Sequence, residues 1–450
     1  MIDLASVIET LEGLGHAVIN DKNNISLRQL WRSWYKGKVN DFHAYTIYNG
    51  DKTINCDRAQ FGMAKMLCET WADLIWNSDC YIQVNELTQN ENEDKKVIET
   101  VIQSLKNNNF TTELTKLIEI MFAEGTAAIT CHETANGDAE LDYLIADYIY
   151  PLKVKKGEIV DCAFVSYIDT VVEKKRRKIA YFMIHEKQDS GYRIRNIYYS
   201  AADNGDILKR IAAPDSVKEE YATRTKRFAI LKPAIINNTD YQSPFGISVF
   251  ANSMDNLKNI DLAYDGIQKS MQLGLPRIGV TAELTRIDET GNSKPLFDSN
   301  DIVFYYLGEP ISGIDGKATK NIEDLTIEYR AKDFEESLRE QVNLITAKTG
   351  LGENTFNWEE KRIATATQVV SENSVMSRAM RKHQDALRRE IITIVGAICE
   401  ILNVSPEAAE IAVQFDDSVT INRDAEREQA WSEVLAGKLS YRDYLVIYKG

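Results

Sequence analysis

Between Thr349 and Asn403 a glycine-bounded polar loop runs directly into a long helical pattern, and no other stretch constrains the fold so strongly. The loop reads Gly350-Leu351-Gly352-Glu353-Asn354-Thr355-Phe356-Asn357-Trp358-Glu359-Glu360-Lys361-Arg362, and the helix opens at Thr365-Ala366-Thr367. No proline occurs between Pro310 and Pro406, and only Gly396 weakens the helical run. At about 1.5 Å per residue such a helix is roughly 60 Å long, more than a compact domain needs to bury one face. Val369, Met376, Met380, Leu387, Ile391, Ile394, Ile398 and Leu402 form its apolar face, which suits core or inter-subunit packing. Arg378, Arg381, Lys382, Arg388 and Arg389 decorate the rest, with Glu372, Asp385 and Glu390 as i, i+4 partners.

The preceding region supplies two further amphipathic helices. In Ser248 to Leu273, Phe250, Met254, Leu257, Ile260, Tyr264, Ile267 and Met271 recur near every 3.5 residues and make one narrow apolar seam. In Lys332 to Lys348, Phe334, Leu338, Val342 and Ile345 share a face. Strands at Arg277–Ala282, Asp301–Leu307 and Leu325–Tyr329, with glycine-rich turns, lie between them. The order helix, small β insertion, helix predicts an antiparallel pair with the β module at its tip.

Upstream, Ser26–Tyr35 and Asp57–Trp76 read as helices, the second capped by Asp57 and carrying Phe61, Ala64, Leu67, Cys68, Trp71 and Ile75 on one face. Thr88–Lys96 reads as a loop, Val97–Leu105 and Thr112–Ala123 as helices, and Gly125 as a helix stop before a strand. Trp31, Trp34, Tyr35, Trp71 and Trp76 read as core in preference to a partner surface. From Glu140 to Ile236 the period is two, which predicts an antiparallel sheet with Lys174–Lys178 at a solvated hairpin tip. Downstream, Ser405-Pro406 opens a helix, and Asn422–Ala436 reads as more helix.

With 450 residues the chain can form two to four structural units, and its net charge of −15 argues against wrapping duplex DNA on a general basic surface. An acidic wall suits a conduit better, because it repels a polyanion and keeps it from adhering. The six cysteines lack a CxxC pair and the five histidines lack zinc spacing, which predicts free thiols and no metal. The amino terminus lacks the basic region of a secretory signal, and the most apolar run, Ile391–Cys399, is far short of the ~20 residues that cross a bilayer. No catalytic signature emerges. None of the Gly-Lys pairs continues to Ser or Thr, Gly246-Ile247-Ser248 lacks a nucleophile elbow's second glycine, and His132-Glu133 lacks a second histidine. The expectation is no enzyme and no cofactor.

In combination these segments resemble the portal proteins of tailed bacteriophages, in the group infecting Gram-positive bacteria. Thr349–Gly352 through Ala364–Ser374 resembles the tunnel loop and start of the long kinked helix, and Gly246-Ile247-Ser248 the approach to the stem. A third match is Phe122–Ile129, followed by Asp147-Tyr148-Ile149-Tyr150-Pro151 ahead of a β meander. The resemblance implies an α+β fold with an α/β wing (1–240), a stem helix (241–273), a clip (274–330) and a second stem helix (331–349). A tunnel loop (350–364), a long helix from wing into crown (365–403) and a C-terminal crown (404–450) complete it.

The same resemblance implies a homo-oligomeric, dodecameric ring at one capsid vertex of the virion, assembled in the host cytoplasm. Its partners would be double-stranded DNA in the channel, terminase, major capsid and scaffolding proteins and a head-tail adaptor, with no membrane. Gly350, Gly352, Asn354, Phe356, Trp358, Lys361 and Arg362 would form the DNA-tunnel loop. Phe250, Met254, Leu257, Ile260, Tyr264, Ile267, Met271, Phe334, Leu338, Val342 and Ile345 would pack the stems of neighbouring subunits. Two alternatives stay open: another phage structural protein, such as an adaptor or minor capsid component, and a metal-dependent enzyme built on scattered carboxylates.

Overall fold

The computed structural model describes residues 3–19, 22–48, 52–86, 91–172, 175–214, 217–273, 277–280, 285–287, 293–295, 303–306, 322–324, 331–353, 355–356, 366–404 and 409–416. In chain order, helices α1 (Leu4–Gly13), α2 (Lys22–Tyr35) and α3 (Asn40–His43) precede a hairpin of β1 (Ala44–Tyr48) and β2 (Thr53–Asp57). Helix α4 (Met63–Ile75), β3 (Tyr81–Glu86), α5 (Glu91–Asn107) and α6 (Phe110–Glu124) follow. Next come β4 (Ala127–Glu133), β5 (Ala139–Ile145), β6 (Ile149–Lys155), β7 (Glu158–Val172), β8 (Lys175–Gln188), β9 (Gly191–Ala201), β10 (Ile207–Ile211), β11 (Glu220–Thr223) and β12 (Phe228–Leu231). Helix α7 (Met254–Leu273), short strands β13 (Arg277–Val280), β14 (Thr285–Ile287), β15 (Ser293–Pro295), β16 (Val303–Tyr306) and β17 (Ile322–Asp324), then α8 (Ala331–Thr349), α9 (Ala366–Ile401) and β18 (Ala409–Gln414) complete an α+β chain.

These elements form two compact units. One comprises 1–37, 64–253 and 346–450, the other 38–63 and 254–345. In the first unit, the period-two region builds an antiparallel meander of strand order β10-β9-β8-β7-β6, with β11 also pairing β9. Lys156 and Gly157, at φ 54° and 78°, make the tight turn from β6 to β7, where two successive positive φ values match the twist of the flanking strands. Both faces of this sheet are buried. Cys162, Phe164, Met183 and Ile194 pack with Ala128 of β4 and with Phe228 and Ile230 of β12. The alternate residues Ala163, Val165, Ala180, Phe182 and Ile184 pack with Val7 and Leu11 of α1. Asp3 caps α1 by accepting from the Ser6 N–H at 3.2 Å.

The helical core of the first unit is aromatic, as the tryptophan distribution predicts. Trp71 stacks on Phe122 with ring centroids 5.7 Å apart, and the His383 ring of α9 stands edge-on to both at 5.0 Å. Trp31, Trp34, Trp71 and Trp76 are each at most 3 % exposed. Burying such a side chain contributes about 3 kcal/mol or more, so these four residues anchor α2 and α4.

Several boundaries differ from the sequence reading. Asp57 is the last residue of β2 and caps no helix; α4 begins at Met63, after Gly62 at φ 79°, and Phe61 lies before it. The segment 38–63, with the hairpin β1–β2, belongs to the second unit together with 254–345. Part of the expected loop Thr88–Lys96 is helical, since α5 starts at Glu91. The last strand, Ala409–Gln414, pairs antiparallel with Tyr81–Glu86 of the first unit. Of the basic cluster Lys174–Lys178 expected at a hairpin tip, Lys175–Lys178 lie in β8 and pair with Val172–Asp169 of β7 at the end of that hairpin. The helix expected to open at Ser405-Pro406 does not continue, since Ala409–Gln414 is a strand. The expected strand Leu325–Tyr329, Lys174, Ser405-Pro406 and the helix Asn422–Ala436 lie outside the described residues.

Candidate stem and channel site

The second unit is held together by its two long helices. Asn256 of α7 donates to the Gln341 side chain of α8 at 2.9 Å, and Phe334 of α8 lies over Gly266 of α7. The pairing 256 with 341 and 266 with 334 runs the helices antiparallel, as expected. A Cβ on Gly266 would fall 2.6 Å from the Phe334 ring, so the glycine is what lets that ring seat. Between α7 and α8 in the chain, β13 pairs β16 in parallel and β17 antiparallel.

One face of α7 is polar and buried, and the apolar pattern alone does not reveal it. Asp261 and Asp265, one turn apart, are 5 % and 7 % exposed. Asp261 accepts from the Phe61 N–H at 2.8 Å and from His43 Nε2 at 3.0 Å, while Asp265 accepts from the Ala59 N–H at 3.1 Å. The Val39 N–H donates to His43 Nδ1 at 2.9 Å, so the ring proton sits on Nε2 and points at Asp261. Burial raises the Asp261 carboxyl pKa, against the Phe61 N–H and His43, which favour the charged form. Lys269, a further turn along, contacts both Asp265 and the Tyr45 hydroxyl, and Arg58 lies over the Phe42 and Tyr45 rings at 4.3 and 4.9 Å. The ladder Asp261-Asp265-Lys269 therefore straps 38–63 onto α7. Its i, i+4, i+8 spacing is the sequence signal that marks it.

The predicted subunit-packing residues divide into three groups. Leu257, Ile260, Leu338, Val342 and Ile345 are at most 6 % exposed within the single chain, so that part of the seam is already closed without a neighbour. Met254, Tyr264, Ile267 and Phe334 are half-buried, and Met271 is 57 % exposed. Phe250 is not on the helix. Ser248–Ser253 forms a tight 3-10 turn ahead of Met254, and Phe250 is fully buried in the first unit. Beside Met271, two apolar side chains outside the predicted seam face outward: Leu262 and Leu344, 44 % and 43 % exposed. The hairpin adds the cross-strand pair Ile47 and Ile54, 47 % and 39 % exposed.

At the carboxyl end of α8, the Leu351 N–H donates to Thr346 O at 3.0 Å and the Gly350 N–H to Ala347 O at 3.3 Å. With Gly350 at φ 85° and Leu351 buried, this is the left-handed helix stop that glycine alone enters without strain. Gly350 also packs close to Ala379 of α9, so it ends a helix and seats the loop. Gly352 has φ 87°, the Thr355 hydroxyl donates to Leu351 O at 2.8 Å, and Phe356 is half-buried. Asn354, Trp358, Lys361 and Arg362 lie outside the described residues.

The Gly246-Ile247-Ser248 motif finds its partner in the other quoted segment, Phe122–Ile129. The Ser248 hydroxyl and the Val249 N–H both donate to Phe122 O, at 3.0 and 2.9 Å, and satisfy a carbonyl that the end of α6 leaves unpaired. The Gly246 N–H donates to the Thr126 hydroxyl at 3.0 Å. Among the described residues no cluster of His, Cys, Asp or Glu could hold a metal ion, and no helix is long and apolar enough to cross a membrane.

No curated protein sequence matches the chain. A solved structure of the neck of a native GTA particle computed with C12 symmetry is 12 % identical, with 85 % of this chain and 88 % of that chain covered and a TM-score of 0.44. The family model described as "Phage portal protein, SPP1 Gp6-like" matches residues 16–445, and the chain belongs to that family of phage portal proteins.

Proposed function

We propose that twelve copies of this chain form a ring at one vertex of a phage head, that double-stranded DNA passes through its axial channel during packaging and ejection, and that the ring docks terminase and then the head-completion proteins. The protein acts as a structural conduit, and the hydrolysis that drives packaging belongs to the terminase. The observation that carries the ring is the outward apolar set Leu262, Leu344 and Met271 on a helix pair that buries only part of its seam by itself. Such side chains on rigid antiparallel rods favour a neighbour of the same kind, and head-to-tail contacts, in which one surface meets a different surface of the next copy, give rings when the rotation closes. Met254, Tyr264, Ile267 and Phe334 supply the half-buried edge of that contact.

The loop 350–364 stands at the channel, with Lys361 and Arg362 meeting phosphates singly and weakly while the acidic wall prevents adhesion. Electron microscopy of the purified chain tests the ring: an annular particle with an axial hole is expected, and a compact monomer at every salt and protein concentration overturns it. Replacing Lys361 and Arg362 by Ala should impair DNA translocation in a packaging assay without loss of rings. Normal packaging by that variant removes those side chains from the mechanism.

A further inference from the structure

Over Arg378–Ile398 helix α9 turns one face to the core, and between Arg378 and Arg389 its opposite, solvent face is cationic but for Asp385. Arg378, Arg381, Lys382, Arg388 and Arg389 are all exposed, and at 3.6 residues per turn they fall within roughly 120° of the circumference. That arc lies opposite Met380, Leu387, Ile391, Ile394 and Ile398, each at most 4 % exposed. Between Arg378 and Arg389 the carboxylate on the arc is Asp385, 3.3 Å from Arg388; Glu400, farther along the same face, accepts from the Arg224 and Thr225 N–H groups. Arg389 comes only within 3.9 Å of Glu158, with both side chains more than 70 % exposed. Among the described residues Arg378, Arg381 and Lys382 have no ion-pair partner.

Such a stripe is unexpected in a chain with 53 basic and 68 acidic residues. Like charges one turn apart on a helix destabilise it by about 0.2–0.5 kcal/mol per pair, and opposite charges placed between them would relieve that at no cost. On the exposed face of α8 the signs are mixed, with Lys332 and Lys348 among Glu335, Glu336 and Glu340. The arc is also poor in what protein partners use, since interface cores favour aromatic and aliphatic side chains over charge.

We propose that the Arg378–Arg389 stripe is a sequence-independent binding surface for the phosphate backbone of double-stranded nucleic acid. The stripe spans about 16 Å of helix axis, a length over which a duplex presents more phosphates than the stripe has cations. This inference rests on the portal reading and deepens it, because it adds a nucleic-acid contact on α9, apart from the 350–364 loop.

The test uses the full chain and a fluorescein-labelled random-sequence 30-base-pair duplex, with binding followed by anisotropy across a salt series. A variant carrying Arg378→Gln, Arg381→Gln and Lys382→Gln is compared with wild type and with Lys106→Gln, Lys116→Gln, Lys209→Gln, which removes three exposed cations elsewhere. The stripe variant should bind about tenfold or more weakly near 0.1 M salt, with the slope of log K against log salt shallower by about 3, and the control should keep the wild-type slope. Equal losses in both variants, no loss in the stripe variant, or no binding by wild type overturns the proposal. So does loss of oligomerisation in the stripe variant, which would make the stripe a contact between copies. Failure of the portal reading registers separately, as absence of rings from wild-type protein by electron microscopy.

Discussion

Gly125 and Gly246 press their backbones together so closely that a Cβ on Gly125 would lie 2.6 Å from the Gly246 carbonyl oxygen. Gly125 ends α6 in the left-handed region at φ 83°, and Gly246 opens the segment that caps the same helix end. Gly125→Ala therefore meets both backbone strain and a backbone clash. We expect a loss of about 2–4 kcal/mol, read from the midpoint of urea unfolding, where an unchanged midpoint would show that the two segments do not meet.

The buried strap on α7 predicts a local effect. Asp261→Ala leaves the Phe61 N–H and His43 Nε2 without their acceptor in a buried setting, at a cost of about 2–4 kcal/mol. Hydrogen exchange should speed up at the amides of Ala59 and Phe61 while the β7–β8 amides keep their protection. Uniform acceleration through the sheet would contradict a strap confined to 38–63.

His383 gives stability a pH dependence. Burial between Trp71 and Phe122, with Lys382 nearby, holds its pKa down to about 4, whereas an unfolded imidazole takes its proton near pH 6.5. The unfolded state thus binds more protons than the native state between those values, so stability is complete above pH 6.5 and falls as the pH drops toward 4. The slope from this group is at most about 1.4 kcal/mol per pH unit. His185, wedged between Phe164 and Phe228 and held at about 3 by burial, acts with the same sign. Asn at 383 keeps an acceptor for the Ala234 N–H, now 3.0 Å from Nδ1, and does not titrate. Thermal melts from pH 7 to 4.5 should show a shallower decline in His383→Asn than in wild type, and parallel declines would refute the assignment.

The outward leucines separate assembly from folding. Leu344→Asp and Leu262→Asp alter side chains that are more than 40 % exposed, so each should change protomer stability by less than about 0.5 kcal/mol. Light scattering should nevertheless show fewer closed rings and more free subunits. Wild-type ring yield from both variants would place the subunit contact elsewhere.

What the sequence made legible was local. The helix stops at Gly125 and Gly350, the buried tryptophans and the meander follow from residue-level rules, and each is where those rules place it. Asp57 has the chemistry of an N-cap ahead of an apolar period and yet ends a strand, and the sequence signal for the hairpin is Asn49-Gly50 between two short alternating runs. The partner of Tyr81–Glu86 lies more than 300 residues away at Ala409–Gln414, and no local pattern names such a pairing. Asp261 and Asp265 were hidden because periodicity sorts residues by hydropathy, whereas these two are buried by satisfying backbone N–H groups. For the stem, periodicity groups apolar residues on one face but does not say whether that face meets the partner helix or a neighbouring subunit; within the chain Leu257, Ile260, Leu338, Val342 and Ile345 are buried, while Met271 is exposed.

The chain leaves the first unit at Lys38, returns at Ala64, leaves again at Met254 and returns at Thr346. Neither unit is therefore a contiguous cassette. During synthesis Asn40–Phe61 emerges some two hundred residues before its seat on α7 exists, and a nascent chain arrested short of Asp261 holds an orphan hairpin with exposed isoleucines. Genetic exchange between related phages meets the same constraint. A crossover that imports 254–345 alone delivers a foreign Asp261-Asp265-Lys269 ladder to a resident strap, so the two stretches must travel, or diverge, as a matched set.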